Sequence, residues 1–146
     1  MCRRHEAQLA AVATAASQGR RFVAEQCVAF GLSELADTAE LLTSELVTNA
    51  VKHTHAGPTV GVACEHGRLV VDVRDPDPRE LARPRDPAAE RGKESGGRGL
   101  MLVSLMADAW GVRTLGDEGK AVWFMLRPHE PPAYAEGCSC PVSDVG

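Results

Sequence analysis

Two pairs of short β-rich runs, each closed by a tight turn, set the strongest limit on what this chain can become. "TVGVAC" and "LVVDVRD" flank "EHGR", and "GVRTL" and "AVWFMLRP" flank "GDEGK". Runs rich in branched and aromatic residues joined this closely read as β-hairpins. Strands joined by tight turns pair antiparallel, so an alternating parallel α/β fold is excluded for these segments. In the first hairpin Val71 and Val73 alternate with Asp72 and Arg74, which gives the sheet one apolar and one wet face.

The remaining segments carry helical spacing. Leu9, Val12, Ala16, Phe22, Val23, Cys27 and Phe30 recur at steps of three and four, which predicts a helix over 8–30 closed by Gly31. A second helix is expected from Ser33, or from the capping box Asp37-x-x-Glu40, to about Thr54. "RGLMLVSLMADAW" predicts a third. The order helix, helix, hairpin, long loop, helix, hairpin implies an α+β two-layer sandwich, a mostly antiparallel mixed sheet with helices on one face.

Residues 76–97, "PDPRELARPRDPAAERGKESGG", hold four prolines, three glycines and dense mixed charge. Such long connections serve as lids or binding loops. From Pro131 onward the composition reads as a flexible tail, so the expected division is one domain over 1–130 and a tail over 131–146. The Ala-rich start runs on into "FVAEQCVAFGL" with helical spacing and reads as folded chain rather than a leader.

The totals exclude some classes. A net charge of −4 and a pI near 5.7 argue against a nucleic-acid binder. No stretch approaches the roughly 20 apolar residues that span a bilayer. Five cysteines, an odd number, argue against a disulfide framework and fit a reduced, cytoplasmic setting. Cys138 and Cys140 are spaced too closely for the usual zinc knuckle.

"SELVTNAVKHT", residues 44–54, carries the candidate chemistry. On a helix Glu45, Asn49 and Lys52 cluster, while Leu46, Val47, Ala50 and Val51 form the buried arc, with Leu42 and His53 at its border. Glu, Asn and Lys are also what any wet helix face carries. The functional alternative pairs an amide oxygen suited to Mg2+ with a carboxylate base one turn away. Phosphoryl transfer asks for that combination. Asp75 ends a strand, where it is either a turn-starting Asp or an acceptor for the exocyclic amine of adenine. The glycines of "GGRGL" open the third helix, where backbone N–H groups can approach phosphates.

In order and wording, "ELVTNAVKH", strand-final Asp75, the loop, "GRGL" and "GKAVWF" resemble the motifs of the gyrase, chaperone and histidine-kinase ATPase superfamily, the Bergerat ATP-binding fold. "SELVTNAVKH", "GRGLMLV" and "AWGV" look like the bacterial anti-sigma-factor serine kinases, over roughly residues 8–127. The resemblance implies ATP and Mg2+ as cofactors. It makes Glu45 the general base, Asn49 the Mg2+ ligand and Asp75 the adenine acceptor. Gly97, Arg98, Gly99 and Leu100 would wrap the phosphates under a lid at 76–97, flanked by Lys52 and His53. It further implies a cytoplasmic homodimer that phosphorylates an anti-anti-sigma factor on Ser or Thr and holds a sigma factor.

Two departures stand against that pattern. "DPDP" puts prolines where the family usually has glycines after its Asp, which stiffens the turn and removes N–H donors. Ala121 stands where many relatives have a Thr that helps to hold the adenine. They motivate a second reading, a nucleotide-binding interaction module with little or no kinase activity. The bland reading is an α+β domain whose motif matches are accidental.

Overall fold

The computed structural model describes residues 4–53, 57–76 and 94–129, with no side-chain description for 53, 94–99 and 118. The expected tail at 131–146 and all but the ends of the expected lid lie outside the described residues. Its elements are β1 (Arg4–Gln8), α1 (Ala15–Ala29), a 3-10 turn (Ser33–Leu35), α2 (Ala36–His53), β2 (Thr59–Glu65), β3 (Arg68–Asp75), α3 (Glu94–Met106), β4 (Ala109–Thr114), a second 3-10 turn (Gly116–Glu118) and β5 (Lys120–Leu126). The five strands lie in the order β1-β2-β3-β5-β4, and all four pairings are antiparallel. The α+β architecture expected from the hairpins is therefore present, with no parallel pair among the described strands.

The hairpins close as their sequences require. His66 and Gly67, with φ of 55° and 80°, form a two-residue turn in which both residues have positive φ. That turn's twist matches the twist of its flanking strands. Val60, Val62 and Cys64 pair with Val73, Val71 and Leu69, and Val122, Phe124 and Leu126 join them from β5. All nine side chains are buried and share one sheet face. The helices cover that face. On α1 the buried positions are Ala15, Gly19, Val23 and Cys27, every fourth residue, and this stripe packs on α2. Phe30, Leu32 and Leu42 complete the centre of the core.

Two expectations about the elements need correction. The first helix does not begin at residue 8. Arg4–Gln8 is an edge strand paired with Ala63–Thr59, α1 starts only at Ala15, and Val12 is 49% exposed. Nothing in "RHEAQ" favours a strand locally; the free edge of β2 supplies the partner, and tertiary pairing overrides propensity. The third helix is also displaced. It starts at Glu94 and ends at Met106, and Ala109 and Trp110 belong to β4.

The opposite sheet face carries no helix among the described elements. Arg4, Glu6, Asp72 and Arg74 form a charge network across β1 and β3: Arg4 lies 2.8 Å from Asp72 Oδ1, Arg74 lies 3.3 Å from Asp72 Oδ2, and both arginines also contact Glu6. Beside it, Val70, Ala109, Met125 and Trp123 floor a shallow concavity of about 340 Å3 whose rim includes Arg68 and Arg113.

Candidate functional site

The polar ridge of α2 is the first component. Leu42, Leu46, Val47 and Ala50 are buried, so the helix is held with Glu45 and Asn49 half-buried at the edge of its apolar face. Leu42, expected at the border, is fully buried and belongs to the core. Lys52 is exposed one turn further on, and the side chain of His53 lies outside the described residues. The amide oxygen Oδ1 of Asn49 is buried and has no hydrogen-bond partner among the described residues. A buried acceptor without a donor costs about 1–3 kcal/mol. Such an oxygen fits a hard cation that completes its shell with water and phosphate oxygens. Among the described residues no three His, Cys, Asp or Glu side chains converge as a metal site. Asn49 would hold a Mg2+ ion there through this oxygen.

The end of the sheet supplies the second component. Asp75 is the last residue of β3 and faces the helix layer, in line with Val71 and Val73. The loop after α2 leads to Thr59, which pairs with Arg74. The C-terminal half of α2 and the end of β3 therefore share one end of the molecule. Asp75 is 6% exposed, and its register partner on β5 is Lys120, also 6% exposed, with Nζ 3.4 Å from Asp75 Oδ2. Gly119 lets β5 approach this corner: its φ is +103°, and a Cβ there would lie 2.0 Å from the Asp75 carbonyl oxygen.

Sequence reading missed Lys120 and misplaced Ala121. Side chains alternate along a strand. Ala121 pairs with Arg74 and so projects with the charge network on the other face, away from Asp75. An Ala there removes no contact to a base held by Asp75. The position facing that volume is Lys120, which shares its parity with Val122 and Phe124. Counting inward from those two apolar residues would have found it.

The third component is α3, which packs against α2 through a face that buries Leu100 and Val103. The helix begins four residues before Arg98, so the motif does not open it as expected. Gly97 lies in the first turn, where N–H groups lack intrahelical partners, and Arg98, Gly99 and Leu100 lie in the second. Cys27 and Cys64 are buried in the core. Burial, with Glu40 nearby, pushes the Cys27 thiol up to about 12, so it is inert at neutral pH.

A helix pair with a half-buried Glu/Asn ridge, over an antiparallel sheet whose end carries an inward carboxylate, defines a two-layer nucleotide-binding domain. The family model for the histidine kinase-like ATPase domain matches residues 6–126. The chain belongs to that family, within the gyrase, chaperone and histidine-kinase superfamily of ATP-binding modules, whose members bind ATP, typically with Mg2+. A search of curated proteins found no match. Among the described residues, no helix is long and apolar enough to cross a membrane.

Proposed function

We propose that this domain is an ATP- and Mg2+-dependent protein serine/threonine kinase of the anti-sigma type. It phosphorylates an anti-anti-sigma factor, holds a sigma factor when that partner is absent, and works in the cytoplasm as a homodimer. The observation that carries the reading is the α2 ridge: a half-buried carboxylate at Glu45 and, one turn on, the unpartnered buried oxygen of Asn49.

The roles follow from the chemistry. Asp75 accepts the N6 amine of adenine. The first turn of α3, with Gly97, presents N–H groups to the phosphates, and Arg98, Gly99 and Leu100 continue that segment. Lys52 and His53 flank it. Asn49 holds Mg2+ through its amide oxygen. When bound, that ion neutralises charge on the phosphate oxygens. Glu45 accepts the proton of the partner's Ser or Thr hydroxyl as its oxygen bonds to the γ-phosphorus and the bond to ADP breaks. Glu45→Ala should therefore lower phosphotransfer about 100-fold or more while leaving the ATP dissociation constant within about twofold. Radiolabelled phosphate transferred to the partner at the wild-type rate would refute the role of Glu45.

A second reading is a nucleotide-sensing interaction module with little or no phosphotransfer. It is favoured by the Asp75–Lys120 ion pair, which neutralises the carboxylate expected to read the base, and by Pro76 directly after it. It no longer draws on Ala121. Mass-spectrometric detection of stoichiometric phosphoserine or phosphothreonine on a partner would eliminate it.

A further inference from the structure

The open face of the sheet is less polar than its position calls for. The strand register sets it out in rungs. Val70, Met125 and Ala109 stand side by side on β3, β5 and β4, and Trp123 follows on the next rung. A sheet face turned to solvent ordinarily carries polar side chains. Here these four, all partly buried, floor the concavity of about 340 Å3. Gly111, beside Trp123 on β4, shapes the floor. A Cβ there would lie 2.9 Å from the indole Nε1, so the ring takes the space of a side chain. Apolar side chains grouped on a surface and rimmed by polar ones mark binding sites.

The rim is charged, and unevenly. Arg4 and Asp72 are committed to each other, 2.8 Å apart. Arg68 and Arg113 are not so occupied. The register puts them on opposite sides of the apolar rungs, Arg68 one rung before Val70 and Arg113 one rung beyond Trp123. Neither has an ion pair among the described residues. Glu65, the other carboxylate of the rim, is exposed opposite Arg68 across the β2–β3 hairpin and does not pair with it. Arginine stems can shield apolar surface. That role still leaves two forked donors, each shaped for a carboxylate, without one.

We propose that the open face holds a second ligand site, for a small amphipathic anion. An aromatic or branched apolar body lies on Val70, Met125, Ala109 and Trp123, and its acid group pairs with one of the two rim guanidiniums. The volume suits a ligand of that size. Apolar contact supplies affinity, and the ion pair selects against neutral analogues. The site is independent of the nucleotide reading, because Asp75 and Asn49 belong to the helix side of the sheet.

The test is titration of the whole protein with 1-naphthaleneacetate and with 1-naphthaleneacetamide, which share a ring system and differ in charge. Calorimetry reads the affinity. The indole 15N–H resonance of Trp123 reads the position, and Trp123→Phe distinguishes it from that of Trp110, the other tryptophan. The carboxylate should bind about fivefold to tenfold more tightly than the amide, the worth of one partly solvated charged hydrogen bond. It should move the Trp123 resonance, and its advantage should shrink in high salt. In the double variant Arg68→Gln/Arg113→Gln the two compounds should bind alike. Neither arginine has an ion pair to lose, so that variant should melt with the wild type. Saturating ADP should leave both affinities unchanged. Equal affinities in the wild type, an advantage that survives in the double variant, displacement by ADP, or a Trp123 resonance that stays in place would each overturn the proposal. So would the absence of binding by both compounds; a Trp123 resonance that moved with protein concentration would then assign the face to a second copy of the chain.

Discussion

Strand β3 carries two buried aspartates three residues apart, Asp72 and Asp75, and the sheet sends them to opposite faces. Each sits near a cation, but the settings differ. Asp72 lies between Arg4 and Arg74, whose side chains are 40% and 33% exposed, so its charge is balanced at a solvent boundary. Asp75 faces Lys120, 7% exposed in its side chain, beneath the helix layer. On the open face the charged groups around Asp72 balance one another as ion pairs, although Asp72 Oδ2 and Arg74 Nε, 3.3 Å apart, are not hydrogen-bonded. On the covered face Val, Leu, Cys and Phe fill the register of β2, β3 and β5, and on those three strands charged side chains appear only at its end. Polarity concentrated at one end of an otherwise apolar face marks a site; polarity spread in compensating pairs marks a surface.

The largest expected contrast is in stability. Phe124 and Trp123 are neighbours on β5 that point to opposite faces. Phe124 is fully buried, and Phe124→Ala should cost about 3–5 kcal/mol through lost burial and the cavity left behind. Trp123 is partly exposed and lies against Gly111, so Trp123→Ala should cost only about 1 kcal/mol. Urea unfolding of the two variants measures the difference. Equal losses would mean that the open face is covered in solution.

The two aspartates give the next contrast. Asp75→Asn should weaken ATP binding roughly 10- to 100-fold, the worth of a hydrogen bond to a charged acceptor. Asp72→Asn should leave that affinity within about twofold and lower stability by about 1 kcal/mol, since its arginine partners are substantially solvated. Calorimetric titration and thermal melts of both variants decide it. Loss of nucleotide binding in Asp72→Asn would erase the distinction drawn between the faces.

The same contrast explains what the sequence revealed. Period-two alternation in "LVVDVRD" and "AVWFML" needs no tertiary information, and the hairpins and the inward set Val71, Val73, Val122 and Phe124 follow from it. The α2 ridge was legible because a helix places Glu45 and Asn49 together by local geometry alone. β1 was not, because "RHEAQ" has no strand preference and becomes a strand only where β2 offers an edge. Lys120 was overlooked for a related reason. A motif match drew attention to the next residue, and only the register of β5 against β3 shows which of the two shares a face with Asp75.

The smallest effect tests the open face by pH. Partial burial pushes the Glu6 carboxyl up, but hydrogen bonding from Arg4 and the charges of Arg74 and Arg4 outweigh it and hold it below its ordinary value of 4.5. A depressed native pKa means that the unfolded chain binds the proton more readily, so Glu6 contributes stability above the ordinary value and loses it as pH falls through the native one. Glu6 is 43% exposed, so the contribution is screened and should stay below about 0.5 kcal/mol. The gap in melting temperature between wild type and Glu6→Gln should be constant from neutral pH to about pH 5, close below that, and shrink in high salt. Asp72 is shielded from solvent where Glu6 is not. A gap for Glu6→Gln as large as that for Asp72→Asn would show that the network acts as one unit rather than as a buried anion with a solvated satellite.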